Sequence, residues 1–177
     1  WTQEQKLVAD DGSERDEFGM SVALDGDTAV IGAPYHENAK GSVYVFIRSG
    51  TAWTQEQKLV ADDGSERDEF GMSVALDGDT AVIGAPYHEN AKGSVYVFIR
   101  SGTIWTQEQK LVADDGSEGD EFGVSVALGS NTISMASHYN LHIYSVYPKN
   151  ATYVLMKVSS LETSSTQLTT KVSSLET

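Results

Sequence analysis

The feature that most constrains this chain is a period of 52 residues. Residues 1–52 and 53–104 are identical except at the last position, where Ala52 becomes Ile104. A third copy starts at Trp105 and keeps the same text to Leu128 with two changes, Gly119 for Arg15 and Arg67, and Val124 for Met20 and Met72. Identical segments call for identical surroundings, and a unit this short cannot easily bury its own apolar face. Near-exact tandem copies therefore predict units that stack, each covering the next. The alternative is a set of independent small domains.

Within one copy the pattern is that of short strands between turn signals. Residues 18–24 put Phe18, Met20, Val22 and Leu24 on one face and Gly19, Ser21 and Ala23 on the other, because side chains alternate along a strand. Asp25-Gly26 follows, a hairpin signal because both central turn positions require positive φ. Residues 28–33 then form the returning strand, stopped by Pro34, which has no N–H to give a ladder. Residues 35–41 are polar and predict a loop. Residues 42–47, rich in β-branched and aromatic side chains, predict a third strand, and the more polar residues 53–60 a fourth. Four antiparallel strands in 52 residues is the size of one propeller blade, so the expected class is all-β.

Phe18-Gly19, then Ser21-Val22-Ala23, then Val30-Ile31-Gly32-Ala33-Pro34, then the strand that follows Gly41 occur in an order that resembles the FG-GAP repeat of integrin-type propellers. The resemblance runs from Trp1 to about Leu128. It implies tandem four-stranded antiparallel blades of a β-propeller, about three here in an incomplete ring, acting as a noncatalytic module for protein or glycan binding and cell adhesion. It also implies an extracellular or cell-surface setting. Residues 1–17 would be the outer strand and acidic loop of a preceding blade, residues 18–69 and 70–121 two blades, and residues 122–156 a divergent third blade or cap. Three blades are too few for a ring, which typically takes 4 to 8. Further chain, a second copy, or an open stack with an exposed edge are the routes left open. Rival functions are a fragment of a propeller-fold hydrolase and a structural unit without ligand.

Composition removes several classes. Acidic side chains number 26 against 12 basic ones, for a net charge of -14, which opposes a phosphate backbone and so a nucleic-acid partner. No run approaches the roughly 18 to 20 apolar residues of a membrane helix, and the chain reads as soluble. With no cysteine there is no disulfide, thiolate nucleophile or thiolate metal site. The chain opens at Trp1 without a charged-then-apolar leader, so it reads as a fragment or a processed product. No acid–base pair, nucleophile motif or phosphate-binding glycine loop stands out, and no cofactor is expected.

Two places attract attention as sites. The loops at Tyr35, His36, Glu37 and Asn38 and at Tyr87, His88, Glu89 and Asn90 should project from the same end of each blade, the usual contact surface of a repeat propeller. An exposed polar loop without a partner is the other reading. The acidic stretches around Asp10, Asp11 and Asp16, Asp62, Asp63 and Asp68, and Asp114, Asp115 and Asp120 carry enough oxygens to hold calcium weakly, although their spacing is irregular and a solvated loop also fits. The family's calcium loop between the first two strands is shortened here to Asp25-Gly26-Asp27, which leaves a hairpin turn rather than a ligand set.

Past Gly129 the third copy still predicts strands at residues 131–136, 141–147 and 151–156, but Gly-Ala-Pro has become Ala136-Ser137-His138, as in a degraded blade or a cap. Asn150-Ala151-Thr152 fits the N-glycosylation pattern. Residues 157–163 recur at 171–177, with heptad spacing that predicts a short C-terminal helix, able to join copies through a coiled coil, or a Ser/Thr-rich linker.

Overall fold

A computed structural model of the chain describes residues 1–129, 132–149 and 152–157, with side chains placed through residue 145. The expected all-β blades are present as three four-stranded antiparallel sheets. The first holds β1 (Ser21–Asp25), β2 (Thr28–Ala33), β3 (Ser42–Ser49) and β4 (Ala52–Leu59) in sequential order. The second repeats it with β5 (Ser73–Asp77), β6 (Thr80–Ala85), β7 (Ser94–Ser101) and β8 (Ile104–Leu111). The third holds β9 (Ser125–Gly129), β10 (Thr132–Ala136), β11 (Leu141–Lys149) and β12 (Thr152–Lys157), again neighbour to neighbour. The heptad tail beyond Lys157, and Asn150 and Ala151 of the glycosylation pattern, lie outside the described residues.

The sheets fan out. Contact between them is closest along the inner strands, β1 on β5 and β5 on β9, and slight between the outer strands β4 and β8. Each interface joins the far face of one sheet to the near face of the next. Val30, Val43, Val45 and Leu59 of the first sheet pack with Phe70, Ile83, Tyr96, Phe98 and Trp105 of the second, and Val74 and Leu76 lie against them. Val82, Val95, Val97 and Leu111 of the second sheet meet Phe122, Ile133, Met135 and Tyr144 of the third in the same way. The stacking expected from the repeat is thus observed as two successive apolar layers.

The Phe-Gly and Gly-Ala-Pro signatures meet at these joints. Backbone of Gly71 comes so close to Gly32 that a Cβ at Gly32 would run into the Gly71 carbonyl oxygen, and Gly84 meets Gly123 alike. The Ser21 hydroxyl donates to that same Gly71 carbonyl at 2.6 Å, and Ser73 donates to Gly123 at 2.8 Å. One sequence expectation needs correction. The first strand starts at Ser21, not Phe18, because Gly19 sits at φ +97° and the Met20 N–H turns back to the Glu17 carbonyl. Phe18, Phe70 and Phe122 therefore enter from a turn rather than lying on a strand face; Phe70 and Phe122 drop into the joints, and Phe18 packs in the matching place on the first sheet.

Residues 1–9 form no strand, yet they are placed as though they belonged to one. The Gln5 side-chain amide bridges the Trp53 backbone, donating to its carbonyl at 3.0 Å and accepting from its N–H at 2.9 Å. Gln57 of β4 bridges Trp105 in the same two bonds, at 2.8 and 2.9 Å. Leu7 and Ala9 pack on the first sheet just as Leu59 and Ala61 pack on the second. Among the described residues nothing covers the inner part of the first sheet's near face, and Met20, Val22 and Leu24 are exposed, at 53, 68 and 67%.

Candidate functional site

After Pro34 the chain makes a single tight turn, His36–Ala39, in which Glu37, Asn38 and Ala39 all have left-handed backbone, φ 52°, 59° and 62°. The second copy repeats it at His88–Ala91. Three consecutive non-glycine residues in that region are costly, and they persist only where surrounding bonds enforce them. Here the carbonyls of Asn38, Ala39 and Lys40 accept from the N–H groups of Arg67, Glu69 and Phe70, so the turn of one blade latches the segment that opens the next. Ala91 and Lys92 hold Glu121 and Phe122 by the same means.

This backbone sends the loop side chains in opposite directions. Glu37 and Asn38 are exposed and Tyr35 is half-buried, whereas His36 is buried beneath them. The His36 Nδ1 donates to Asp16 at 2.8 Å, and its Nε2 accepts from the Lys58 ammonium at 2.7 Å. A carboxylate only accepts and an ammonium only donates, so the network fixes the ring proton on Nδ1. Lys58 also donates to Asp11 at 2.9 Å and Glu37 at 3.2 Å, and the Tyr44 hydroxyl donates to Asp11 at 2.7 Å. The second copy reproduces the network with His88, Asp68, Lys110, Asp63, Glu89 and Tyr96.

The charges are tuned by this arrangement. The Tyr44 hydroxyl, then Lys58, hold the Asp11 carboxyl below its usual range. Burial works against Asp16, but hydrogen bonds from Ser13 and His36 outweigh it and lower it too. Burial likewise opposes the Lys58 ammonium, and Asp11 and Glu37 overcome that and push it up. Burial, then the Asp11 bond, push the Tyr44 hydroxyl far up. Asp11 and Asp16 are thus taken up by Lys58, Tyr44, Ser13 and His36, while Asp10 and Asp62 are exposed and use their backbone N–H on Gln55 and Gln107. Among the described residues no group of three or more Asp, Glu or His side chains stands at metal-ligand geometry. In the third copy Asp120 caps Ser117 and Asp115 is exposed.

Above each histidine lies an open recess. The first, about 540 Å³, is lined by Ser13, Arg15, Asp16, Glu17, Tyr35, Glu37, Asn38 and Ala39. The second, about 550 Å³, is lined by Ser65, Glu66, Arg67, Asp68 and the residues from Tyr87 to Ala91. They are side by side, because the Asn38 amide of the first donates to Glu66 of the second at 3.1 Å. The fold therefore brings the loop residues and part of the acidic stretch together, though they are some twenty positions apart in sequence. Glu17, Glu69 and Glu121 fall in register along this end. Burial, then the charges of Glu121 and Glu17, raise the Glu69 carboxyl above its usual range. Glu69, then burial, raise the Tyr35 hydroxyl, which stands beside that acidic strip. On the third blade His138 meets Glu121 at 3.4 Å.

Sequence reasoning missed the Asp–His–Lys network. Its only trace is that Asp16, His36, Tyr44 and Lys58 recur together as Asp68, His88, Tyr96 and Lys110.

Comparison with known proteins accords with this geometry. Residues 1–46, 53–98 and 105–140 each match the sequence model described as the FG-GAP repeat, together well over half of the chain. Integrin alpha-3 of Cricetulus griseus is 33% identical over 117 residues, covering 55% of this chain and 11% of that protein. Integrin alpha-3 of Mus musculus is 32% identical over 113 residues, 54% of this chain and 10% of that protein. Integrin alpha-11 of Homo sapiens is 29% identical over 123 residues, 60% and 10%. The chain spans about a tenth of the length of these relatives.

Proposed function

This chain belongs to the FG-GAP repeat family, and from that premise we propose that it is a noncatalytic β-propeller module that binds protein ligands in adhesion, outside the cell or at its surface. The observation that carries the reading is the pair of adjacent recesses built from Tyr35, Glu37 and Asn38 and from Tyr87, Glu89 and Asn90. Two equal sites on one rigid end can grip two side chains of one ligand, and the second contact then gains from the high local concentration set by the first. His36 and His88 act from below by holding the turns in place.

The lining selects for basic groups. Glu17, Glu69 and Glu121 share one strip, and a Lys or Arg side chain entering beside Tyr35 would relieve their mutual repulsion while resting on the ring. A catalytic use of the Asp16–His36 pair has less support. The Nε2 that would serve as base already accepts from Lys58, and the ring is buried. No described helix is long and apolar enough to cross a membrane.

The test is binding of a fluorescent peptide carrying two lysines, followed by anisotropy. Glu37→Gln with Glu89→Gln, and Tyr35→Ala with Tyr87→Ala, should each weaken it at least tenfold. Glu4→Gln with Glu108→Gln removes the same charge from exposed positions elsewhere and should change it less than twofold. Equal losses in both sets would mean general attraction to an acidic protein and would remove the recesses from the account.

A further inference from the structure

Along the end that carries the recesses, aromatic rings alternate with carboxylates from blade to blade. The Tyr35 N–H donates to the Asp16 carbonyl at 3.3 Å, and the Tyr87 N–H to the Asp68 carbonyl at 3.4 Å. In the third copy the Asp120 carbonyl accepts instead from the His138 N–H, at 2.8 Å. Counting by the period would put Tyr139 in that place, but Tyr139 is 86% exposed and His138 stands where the tyrosines stand. The charge of Glu69 bears on both Tyr35 and Tyr87, and that of Glu121 on Tyr87. Glu121 is therefore shared between Tyr87 and His138, whose Nε2 is 3.4 Å from its carboxylate.

We propose that His138 competes with the ligand for Glu121, so that the grip on a basic ligand loosens as the pH falls from 7.5 to 5.5. The inference rests on the reading of the recesses given above. Histidine is the side chain that ordinarily gains its charge between pH 8 and 5. A neutral imidazole leaves the Glu121 charge to a ligand ammonium arriving beside Tyr87. An imidazolium pairs with that carboxylate and sets a like charge next to the arriving group. The His138 side chain is half exposed, so water reaches the ring. Around it stand Glu121, the Tyr139 ring at 5.8 Å, and the Asp120 backbone. Nearby Glu118 is held by the Asn90 amide at 3.3 Å. Gly119 occupies the position of Arg15 and Arg67, so no guanidinium from that position takes Glu121 first.

The other histidines are placed differently. His36 and His88 are buried with both ring nitrogens in hydrogen bonds, and His142 packs edge-on against Phe122 at 5.1 Å. An exposed ion pair changes an affinity by a factor of roughly two to five. Here the pair also removes one of two contacts made by a single ligand, and the gain in local concentration goes with it. The expected loss is therefore threefold or more. By linkage, a bound ligand opposes proton uptake at His138 by the same factor.

Anisotropy of the fluorescent peptide with two lysines, measured at pH 7.5 and 5.5 and equal ionic strength, tests this. The peptide's lysines stay charged across that range. The dissociation constant for the wild type should rise at least threefold at pH 5.5. His138→Gln should lose the dependence, its two values agreeing within 1.5-fold. His138→Lys carries the charge at both pH values and should bind at pH 7.5 as weakly as the wild type does at 5.5. His142→Gln should keep the wild-type dependence. Equal wild-type affinity at the two pH values, a threefold change that survives in His138→Gln, tight binding by His138→Lys, or loss of the dependence in His142→Gln would each overturn the switch while leaving the recesses in place. A peptide that binds at neither pH would overturn the recesses and the switch together.

Discussion

Phe18 and Phe70 offer a measurement of what one blade gives the next, because the sequence around them is the same for the length of a copy. Each ring meets two aromatic neighbours edge-on: Phe18 has Tyr44 at 5.7 Å and Phe46 at 6.1 Å, and Phe70 has Tyr96 at 5.5 Å and Phe98 at 6.0 Å. Each is also flanked by the matching outer pair, Leu7 and Ala9 or Leu59 and Ala61. What Phe70 has in addition is the first sheet, through Val30, Val43 and Val45, and it is fully buried where Phe18 is half-buried. A buried Phe→Ala substitution costs about 3–5 kcal/mol, so Phe70→Ala should lie in that range. Phe18→Ala, with one side open, should cost about 1–2 kcal/mol. The difference, about 2–3 kcal/mol, is the coupling between adjacent blades at one side chain. With a slope of about 2 kcal/mol per molar urea, the two midpoints should differ by about 1–1.5 M. The assay is urea unfolding at low protein concentration, followed by tryptophan fluorescence, since Trp105 is buried in the same interface as Phe70. Phe70→Ala should also split the transition, because weakening a joint lets neighbouring units unfold separately. Equal midpoint shifts for the two substitutions would mean that the sheets are energetically independent, and the stacking argument would fail.

Two further outcomes follow from the joints and the charge network. Gly32→Ala and Gly84→Ala put a methyl group into a backbone carbonyl of the next blade, so each should lower the melting temperature by more than Gly26→Ala, whose φ of +53° is strained for alanine but whose Cβ meets nothing. Calorimetry of the three variants decides it. Asp11 is held low by Tyr44 and then Lys58; Asp63, although burial raises it, is brought low by Lys110 and Tyr96. Folded values below unfolded ones give stability that is complete above about pH 4 and is lost as the pH falls through the lowered values. Asp11→Asn with Asp63→Asn should therefore lower the melting temperature at pH 7 and flatten its decline between about pH 4 and 2; a decline as steep as the wild type's would assign acid lability elsewhere.

Most of the architecture was legible because it rests on local chemistry repeated three times. Alternating apolar residues, Asp25-Gly26 and Pro34 mark strand, turn and stop within a few positions of where they occur. The start of β1 was less so: Phe18 continues the alternation that Val22 and Leu24 begin, and only the positive φ of Gly19 takes it off the strand. The candidate site was half legible. Tyr35, Glu37 and Asn38 were expected at one end of the blade and do line a recess there. That His36 turns inward depends on left-handed backbone at Glu37, Asn38 and Ala39, and of those residue types only Asn favours it. The turn is held by N–H groups of Arg67, Glu69 and Phe70 across the joint, a long-range cause that a local reading has no means to see.

The matching of far face to near face also bears on how such a chain can lengthen. An in-frame duplication of one unit inserts a blade whose two surfaces are already the partners of those on either side, so no side chain has to find a new neighbour. Copy number can drift upward without a period of poor packing, while the third unit carries a departure from the pattern, Ser134 in the position of Val30 and Val82.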